Sequence, residues 1–207
     1  GALYEIGSAL SLFQVKTYLD EFITALEGKA APAALAEDQT VSHVAKDIEE
    51  NTRDFVIKRL AQQLKGHPLA DFVAQLLQAM GFRTRVSPEG PDGGIDIIAH
   101  KDALGFEPPI VKVQVKSKDQ ATVGDGDVKQ LKGALSGAEH GLFVTLGGFS
   151  PAAKAFARTV PNIRLIDGQT LVDLVLENYD RFDSRYRGLI PLKRVYVPEP
   201  LQSSDGS

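Results

Sequence analysis

The order of elements along the sequence predicts an α/β fold: a central mixed β-sheet flanked by helices, preceded by an α-helical segment. Three observations lead there. Apolar residues recur at helical spacing through much of the first 80 residues. Three strand-like stretches then follow as a run, at 82–87, 95–99 and 110–116. Beyond them, strand and helix patterns alternate up to residue 179.

Each element has a local reason. Leu12, Val15, Leu19, Phe22, Ile23 and Leu26 give residues 3–27 a helical stripe. Gly, Pro and Ala in 28–37 (GKAAPAALAE) read as a linker. A second helix is expected from about 40 to 65, with Val41, Val44, Ile48, Phe55, Leu60 and Leu64 as its stripe, ended by Gly66 and Pro68. Residues 69–80 (LADFVAQLLQAM) form an amphipathic helix stopped by Gly81. After the three strands, a helix fits 125–138, opening on the acidic DGD. A buried strand fits 141–146 (GLFVTL). A helix follows at 150–159, with Ser150 as N-cap and Pro151 in its first turn. A strand at 163–166 and a helix at 168–179 complete the pattern, and the tail from 198 is expected to be disordered. The chain therefore divides into a helical segment at 1–66, serving as linker or dimer contact, a main domain at 67–197, and the tail.

Composition narrows the function. A chain of 207 residues with 43% hydrophobic content can build one α/β domain plus an extra element, or two small units. No cysteine is present, which excludes disulfides and thiolate zinc sites. No apolar run reaches the roughly 18 residues of a membrane span, and no signal peptide is visible; a cytoplasmic location is expected. The first residue is Gly rather than Met, and the chain reads as a fragment lacking an upstream domain. Charge is uneven. Residues 1–50 hold nine acids and three bases, a net of −6, whereas 51–207 hold eighteen acids and twenty bases, a net of +2. The later part can thus offer phosphate a local basic surface. The histidines (His43, His67, His100, His140) show no i, i+4 pairing and no HExxH, and GxSxG, Walker and GxGxxG motifs are absent.

The chemistry concentrates in two strands. In 110–116, Val111, Val113 and Val115 point to one face and Lys112, Gln114 and Lys116 to the other. A surface strand alternates in the same way. The neighbouring stretch Ile95-Asp96-Ile97-Ile98-Ala99, however, holds one carboxylate in an apolar run. A buried Asp is costly unless it is paired, hydrogen-bonded or bound to metal. If the strands are adjacent, Asp96, Gln114 and Lys116 converge at one end of a sheet. Phosphodiester hydrolysis uses such a set. A hard divalent cation takes oxygen ligands and keeps several waters. It acidifies a bound water and neutralises charge on phosphate. A lysine orients or deprotonates the attacking water and stabilises developing charge.

Asp96, an intervening hairpin and Gln114-Val115-Lys116 resemble the PD-(D/E)xK nuclease signature, with Gln in the acidic slot. The stretches LLQAMGF (76–82), PDGGIDI (91–97), VQVKS (113–117), DVKQLKGAL (127–135), GLFVTLGGFS (141–150) and RLIDGQTLVDL (164–174) resemble, in order, the Mrr-type restriction endonuclease family. The likeness covers roughly 69–194. It implies a restriction-endonuclease-like sheet and a Mg²⁺-dependent DNA endonuclease, with Mn²⁺ as a substitute. By it, Asp96, Gln114 and the Val115 carbonyl are metal ligands, and Asp96, Gln114 and Lys116 form the catalytic set. The family often carries a Glu on the helix before the first strand. Ala70 stands there, and Asp71 would need a helix rotation of about 100° to replace it. The segment YRGLIPLKRVYV (186–197) resembles a subgroup in which this domain follows a separate DNA-reading module, after which the present chain would begin.

Other residues carry two readings each. Gly93 and Gly94 suit either a tight turn or a close approach to DNA. Asp92 fits an Asp-Gly turn or an accessory ligand. Lys118, Lys129 and Lys132 form a phosphate patch or ordinary solvated charge. Gln130 faces the site from the helix after the catalytic strand, or faces solvent. Thr145 and Ser150 more naturally satisfy backbone groups, and Asp125-Gly-Asp127 is a helix cap rather than a calcium loop. The expected function is hydrolysis of double-stranded DNA in a restriction setting, with modified DNA as a target by family analogy. A double-strand cut by one site per chain implies a homodimer. The rivals are a junction-type, structure-selective nuclease, a DNA-binding module with a decayed site, and an interaction scaffold built on the first helices.

Overall fold

The computed structural model describes residues 33–88 and 94–195. The segment at 3–27, Asp92, Gly93 and the tail from 198 lie outside them. The chain divides into two compact units. Phe55–Leu192 forms one; the described residues 33–54 and 193–195 belong to the other.

Helix α1 (Ala33–Gln63) is followed by α2 (His67–Ala79) and strands β1 (Arg83–Val86), β2 (Ile97–His100) and β3 (Val111–Lys116). Then come β4 (Thr122–Val123), α3 (Asp125–Gly133), β5 (His140–Thr145), β6 (Gly148–Phe149), α4 (Pro151–Thr159), β7 (Ile163–Ile166), α5 (Gly168–Asn178), a 3₁₀ turn (Tyr179–Arg181) and α6 (Ser184–Leu189). The main sheet has the order β1-β2-β3-β5-β7. The first three strands are antiparallel and the last three parallel, so the sheet is mixed as predicted. β4 and β6 form a small parallel pair of their own.

The period-two pattern decides which face each strand buries. Ile97, Ala99, Val113 and Val144 turn to one face, under α2, α5 and the end of α1, where Val56, Leu60 and Leu64 are buried at i, i+4 spacing. Phe72 anchors that core. It stacks on Phe182 at 5.3 Å and meets Tyr186 edge-on at 5.2 Å, geometries favoured by ring quadrupoles. Phe143 and Ile163 turn to the other face, under Val128 and Leu131 of α3 and Ala153 of α4.

Several boundaries differ from expectation. Ala33–Glu37, read as linker, is helical: Ala, Leu and Glu there are strong helix formers. α3 stops at Gly133 rather than 138, because a turn through Gly137 at φ +51° intervenes, pinned by Ser136 N–H donating to Glu139 Oε2 at 2.7 Å. Gly124, not Asp125, is its N-cap; Asp125 and Asp127 lie in its first turn, where their charge favours the helix dipole. Ser150 caps α4 as expected, accepting from Ala153 N–H at 3.1 Å. The 3₁₀ turn and α6 were not foreseen. They dock because the Tyr179 hydroxyl donates to Ile190 O and accepts from Leu192 N–H, both at 2.9 Å.

Candidate active site

The centre forms where β2 begins, beside the end of β3. The β2–β3 ladder reaches Ile97↔Val113, and one further bond runs from Asp96 N–H to Val113 O at 2.8 Å. N–H and C=O of one strand residue point to the same side, and residues i and i+2 agree. Val115 N–H and C=O therefore turn toward the position that β2 leaves open. The Asp96 carboxylate fills it: Oδ2 accepts from Val115 N–H at 2.7 Å. Oδ1 has no hydrogen-bond partner among the described residues. Burial raises the Asp96 carboxyl above the ordinary aspartate range; the Val115 N–H, Lys116 and His67 act in the opposite direction.

Asp96 opens onto a cavity of about 530 Å³, shared with Lys116, His67, Ala70, Lys118 and Asp127. Lys116 and Lys118 are exposed. His67 reaches the cavity because Gly66, at φ +71°, turns the chain into α2, and Gly66 N–H donates to Ser117 Oγ at 3.1 Å just after β3. The loop carrying Lys118 folds back over Gly147, where an added Cβ would stand 2.1 Å from Ala121 O. Only glycine admits that approach. Thr145 is fully buried, and its Oγ1 accepts from Gly147 N–H at 3.2 Å, fixing the same corner.

Gln114 shares the Asp96 face but lies deeper, 4% exposed. Gly94 closes over it at φ +82°; a Cβ there would stand 2.9 Å from Gln114 Nε2. Gly94 lines the cavity, whereas Gln114 sits behind it.

Residues 61–175 match the family model of the Mrr catalytic domain, a restriction endonuclease. The chain belongs to the Mrr restriction endonuclease family. Its relatives include the type IV methyl-directed restriction enzyme EcoKMrr of Escherichia coli (strain K12), 33% identical over 162 residues, a match that covers 74% of this chain and 51% of that protein. The chain thus spans about half the length of this curated relative. Among solved structures, the MspJI restriction endonuclease bound to a 27-mer oligonucleotide shows 21% identity and a TM-score of 0.46, over 90% of this chain and 38% of that one. The Mrr-type resemblance carried by the sequence motifs is thereby shown.

Against that family pattern, Asp96, Val115 and Lys116 come together at the cavity, Gly94 and Lys118 line it, and Gln114 stands just behind. Gln130 is exposed on α3 and does not line the cavity. Lys129 is engaged with Asp125 at 2.6 Å. α2 presents Ala70 to the cavity and turns Asp71 away from it. Asp71 instead bears on Tyr186, whose hydroxyl is raised first by burial, with Arg185 opposing and Asp71 and Asp183 adding. That placement runs against an accessory role for Asp71. The sequence reading missed two cavity residues. His67 was passed over because it belongs to no histidine pair, and its place just before Pro68, at a helix start, was the available signal. Asp127 was read as part of a cap, but Gly124 supplies the cap and Asp127 reaches the cavity.

Proposed function

We propose that this domain is the catalytic part of a divalent-metal-dependent DNA endonuclease, with Asp96 and Lys116 at its centre. The observation that carries the reading is that Lys116 and the Asp96 carboxylate, whose Oδ1 has no hydrogen-bond partner among the described residues, border one cavity at a strand end.

The donor set fits a hard cation. Asp96 Oδ1 and the Val115 carbonyl are oxygen donors turned to one side, and the cavity has room for the waters that Mg²⁺ keeps. Among the described residues no group of three or more His, Cys, Asp or Glu could hold a metal, so a zinc-type site is not favoured. Mg²⁺, or Mn²⁺ in its place, would be held by Asp96 and Val115, with Gln114 behind them. Once bound, the cation acidifies a water and neutralises charge on the scissile phosphate. Lys116 would hold an attacking water and stabilise charge on the phosphoryl oxygens. Asp96 must be ionised to bind, and its burial makes the cation the natural partner for its charge. His67 adds a further group that bears on Asp96 from the start of α2.

The substrate is double-stranded DNA in a restriction setting in the cytoplasm. Modified DNA is the target suggested by the methyl-directed relative. Sequence or modification readout is assigned to a module outside the catalytic unit. A homodimer would supply one site to each strand. A second reading, a binding module with a decayed site, draws support from Ala70 standing where the family often has a carboxylate.

The test is nicking of supercoiled plasmid, methylated and unmethylated, and of a four-way junction, with Mg²⁺, Mn²⁺ or EDTA. Metal-dependent relaxation of plasmid supports the endonuclease. Cleavage of the junction alone would mean a structure-selective enzyme. DNA binding without cleavage at high enzyme concentration would favour the decayed module.

A further inference from the structure

The face of the sheet that carries Asp96 does not stop at β2. Register extends it onto the edge strand: Arg85 pairs with Ile98 and Arg83 with His100, while Ser87 N–H donates to Asp96 O at 2.8 Å. Ile98 in turn pairs with Lys112. Directly opposed residues share a face, so Arg83, Arg85, Asp96, Lys112 and Lys116 all project from the same side. Thr84 and Val86 project from the other. There Thr84 accepts from Gln78 of α2 at 2.7 Å, and Val86 packs on the core. α3 and α4 pack beneath β5 and β7 on the catalytic side, whereas Arg83 and Arg85 are exposed.

The charges on this face are unequal in availability. Lys112 is already neutralised by Glu139 at 2.8 Å. Asp102, the acid nearest in sequence to the His100 row, is held by its own loop, where Oδ2 accepts from Leu104 N–H at 3.2 Å and Phe106 N–H at 2.9 Å. Neither Arg83 nor Arg85 has an ion pair among the described residues. Arg85 is a diagonal neighbour of Asp96, roughly 7–8 Å away by sheet geometry. The two arginines stand about 6.7 Å apart along β1, a span of about two phosphates of one DNA strand at roughly 3.4 Å of axial rise each.

We propose that Arg83 and Arg85 form a phosphate-binding rail on β1 that holds the DNA backbone flanking the scissile phosphate. The inference rests on the endonuclease reading and adds to it the surface on which the strand lies. The rail positions DNA and does no chemistry, because neither guanidinium lines the cavity. Planar guanidinium groups grip phosphate oxygens with paired N–H donors.

The experiment measures binding of a fluorescein-labelled DNA duplex across a salt series in EDTA, for wild type, Arg83→Gln/Arg85→Gln and the surface control Arg158→Gln, with Mg²⁺-dependent nicking measured in parallel. Two lost phosphate contacts should flatten the log–log salt dependence by about 1.8 and weaken low-salt binding roughly tenfold or more. Nicking at sub-saturating DNA should fall with binding, the loss residing in KM rather than in kcat. Arg83→Lys/Arg85→Lys should restore most of the slope, and Arg158→Gln should change nothing. An unchanged slope in the Gln double variant overturns the rail while leaving the nuclease standing. Self-association of that variant with an unchanged slope would also overturn it, assigning the arginines to edge-strand protection. A wild-type chain that binds no DNA would overturn rail and nuclease together.

Discussion

Asp96 has two jobs that substitution can separate. Its Oδ2 closes the strand end by accepting from Val115 N–H, and its half-buried charge is the proposed ligand of a cation. Asp96→Ala removes both and leaves the Val115 N–H without its acceptor. For a half-buried donor that loss is about 1–2 kcal/mol, or roughly 2–8 °C in melting temperature for a domain of this size. Asp96→Asn keeps the shape and one oxygen acceptor for the Val115 N–H, while it removes the charge and turns the second oxygen into an NH₂ donor. The sign follows from the raised carboxyl: a group whose pKa rises on folding stabilises fully below its unfolded pKa, and that contribution is lost as pH climbs through the folded value. At neutral pH the ionised Asp96 is therefore a burden on the metal-free fold. In EDTA the Asn variant should melt at or above wild type, and its advantage should vanish in the acid range of ordinary aspartates. With Mg²⁺ the order should reverse, because only wild type gains the RT ln(1 + [L]/Kd) of metal binding. Scanning calorimetry in EDTA and in Mg²⁺ reads all of this. An Asn variant as unstable as the Ala variant in EDTA would refute the division of roles.

Further outcomes follow from the same corner. Lys116→Met should lower nicking by roughly 10²–10⁴-fold while keeping the Mg²⁺-dependent rise in melting temperature; loss of that rise would recast Lys116 as part of metal binding. Gly94→Ala should cost about 1–3 kcal/mol in chemical denaturation, since φ is +82° and the new Cβ would meet Gln114 Nε2 at 2.9 Å. Adding Gln114→Ala should recover the clash but not the backbone strain, and full recovery would show that φ carries no cost there. At fixed sub-saturating Mg²⁺, nicking should fall as pH drops through the raised pKa of Asp96, above the usual aspartate range, and more Mg²⁺ should move the fall to lower pH. A profile insensitive to Mg²⁺ would detach it from Asp96.

The candidate site was legible where local pattern and tertiary placement agree. An acid inside Ile95-Asp96-Ile97 and the alternation of Val113, Gln114, Val115 and Lys116 are both period-two signals, and the register Ile97↔Val113 joins them as expected. The break between α1 and α2 at Gly66 and the stop of α2 before Gly81 were readable from the glycines themselves. The unread parts are those set by long-range contacts. β4 and β6 have two residues each and no periodicity to detect. The burial of Gln114 depends on Gly94 folding over it, and the cavity position of His67 depends on Gly66 meeting Ser117 from far along the chain. Nothing in the sequence singles out Arg83 and Arg85; the register places them on the face of Asp96.

The most direct test of Asp96 as the metal-binding centre is nicking of supercoiled plasmid by wild type and Asp96→Asn, at enzyme concentrations matched for DNA occupancy in EDTA. Wild type should generate open circles on addition of Mg²⁺ or Mn²⁺, and the variant, equally bound and equally folded, should generate none. Equal nicking by both proteins would contradict this assignment and move the chemistry away from the start of β2.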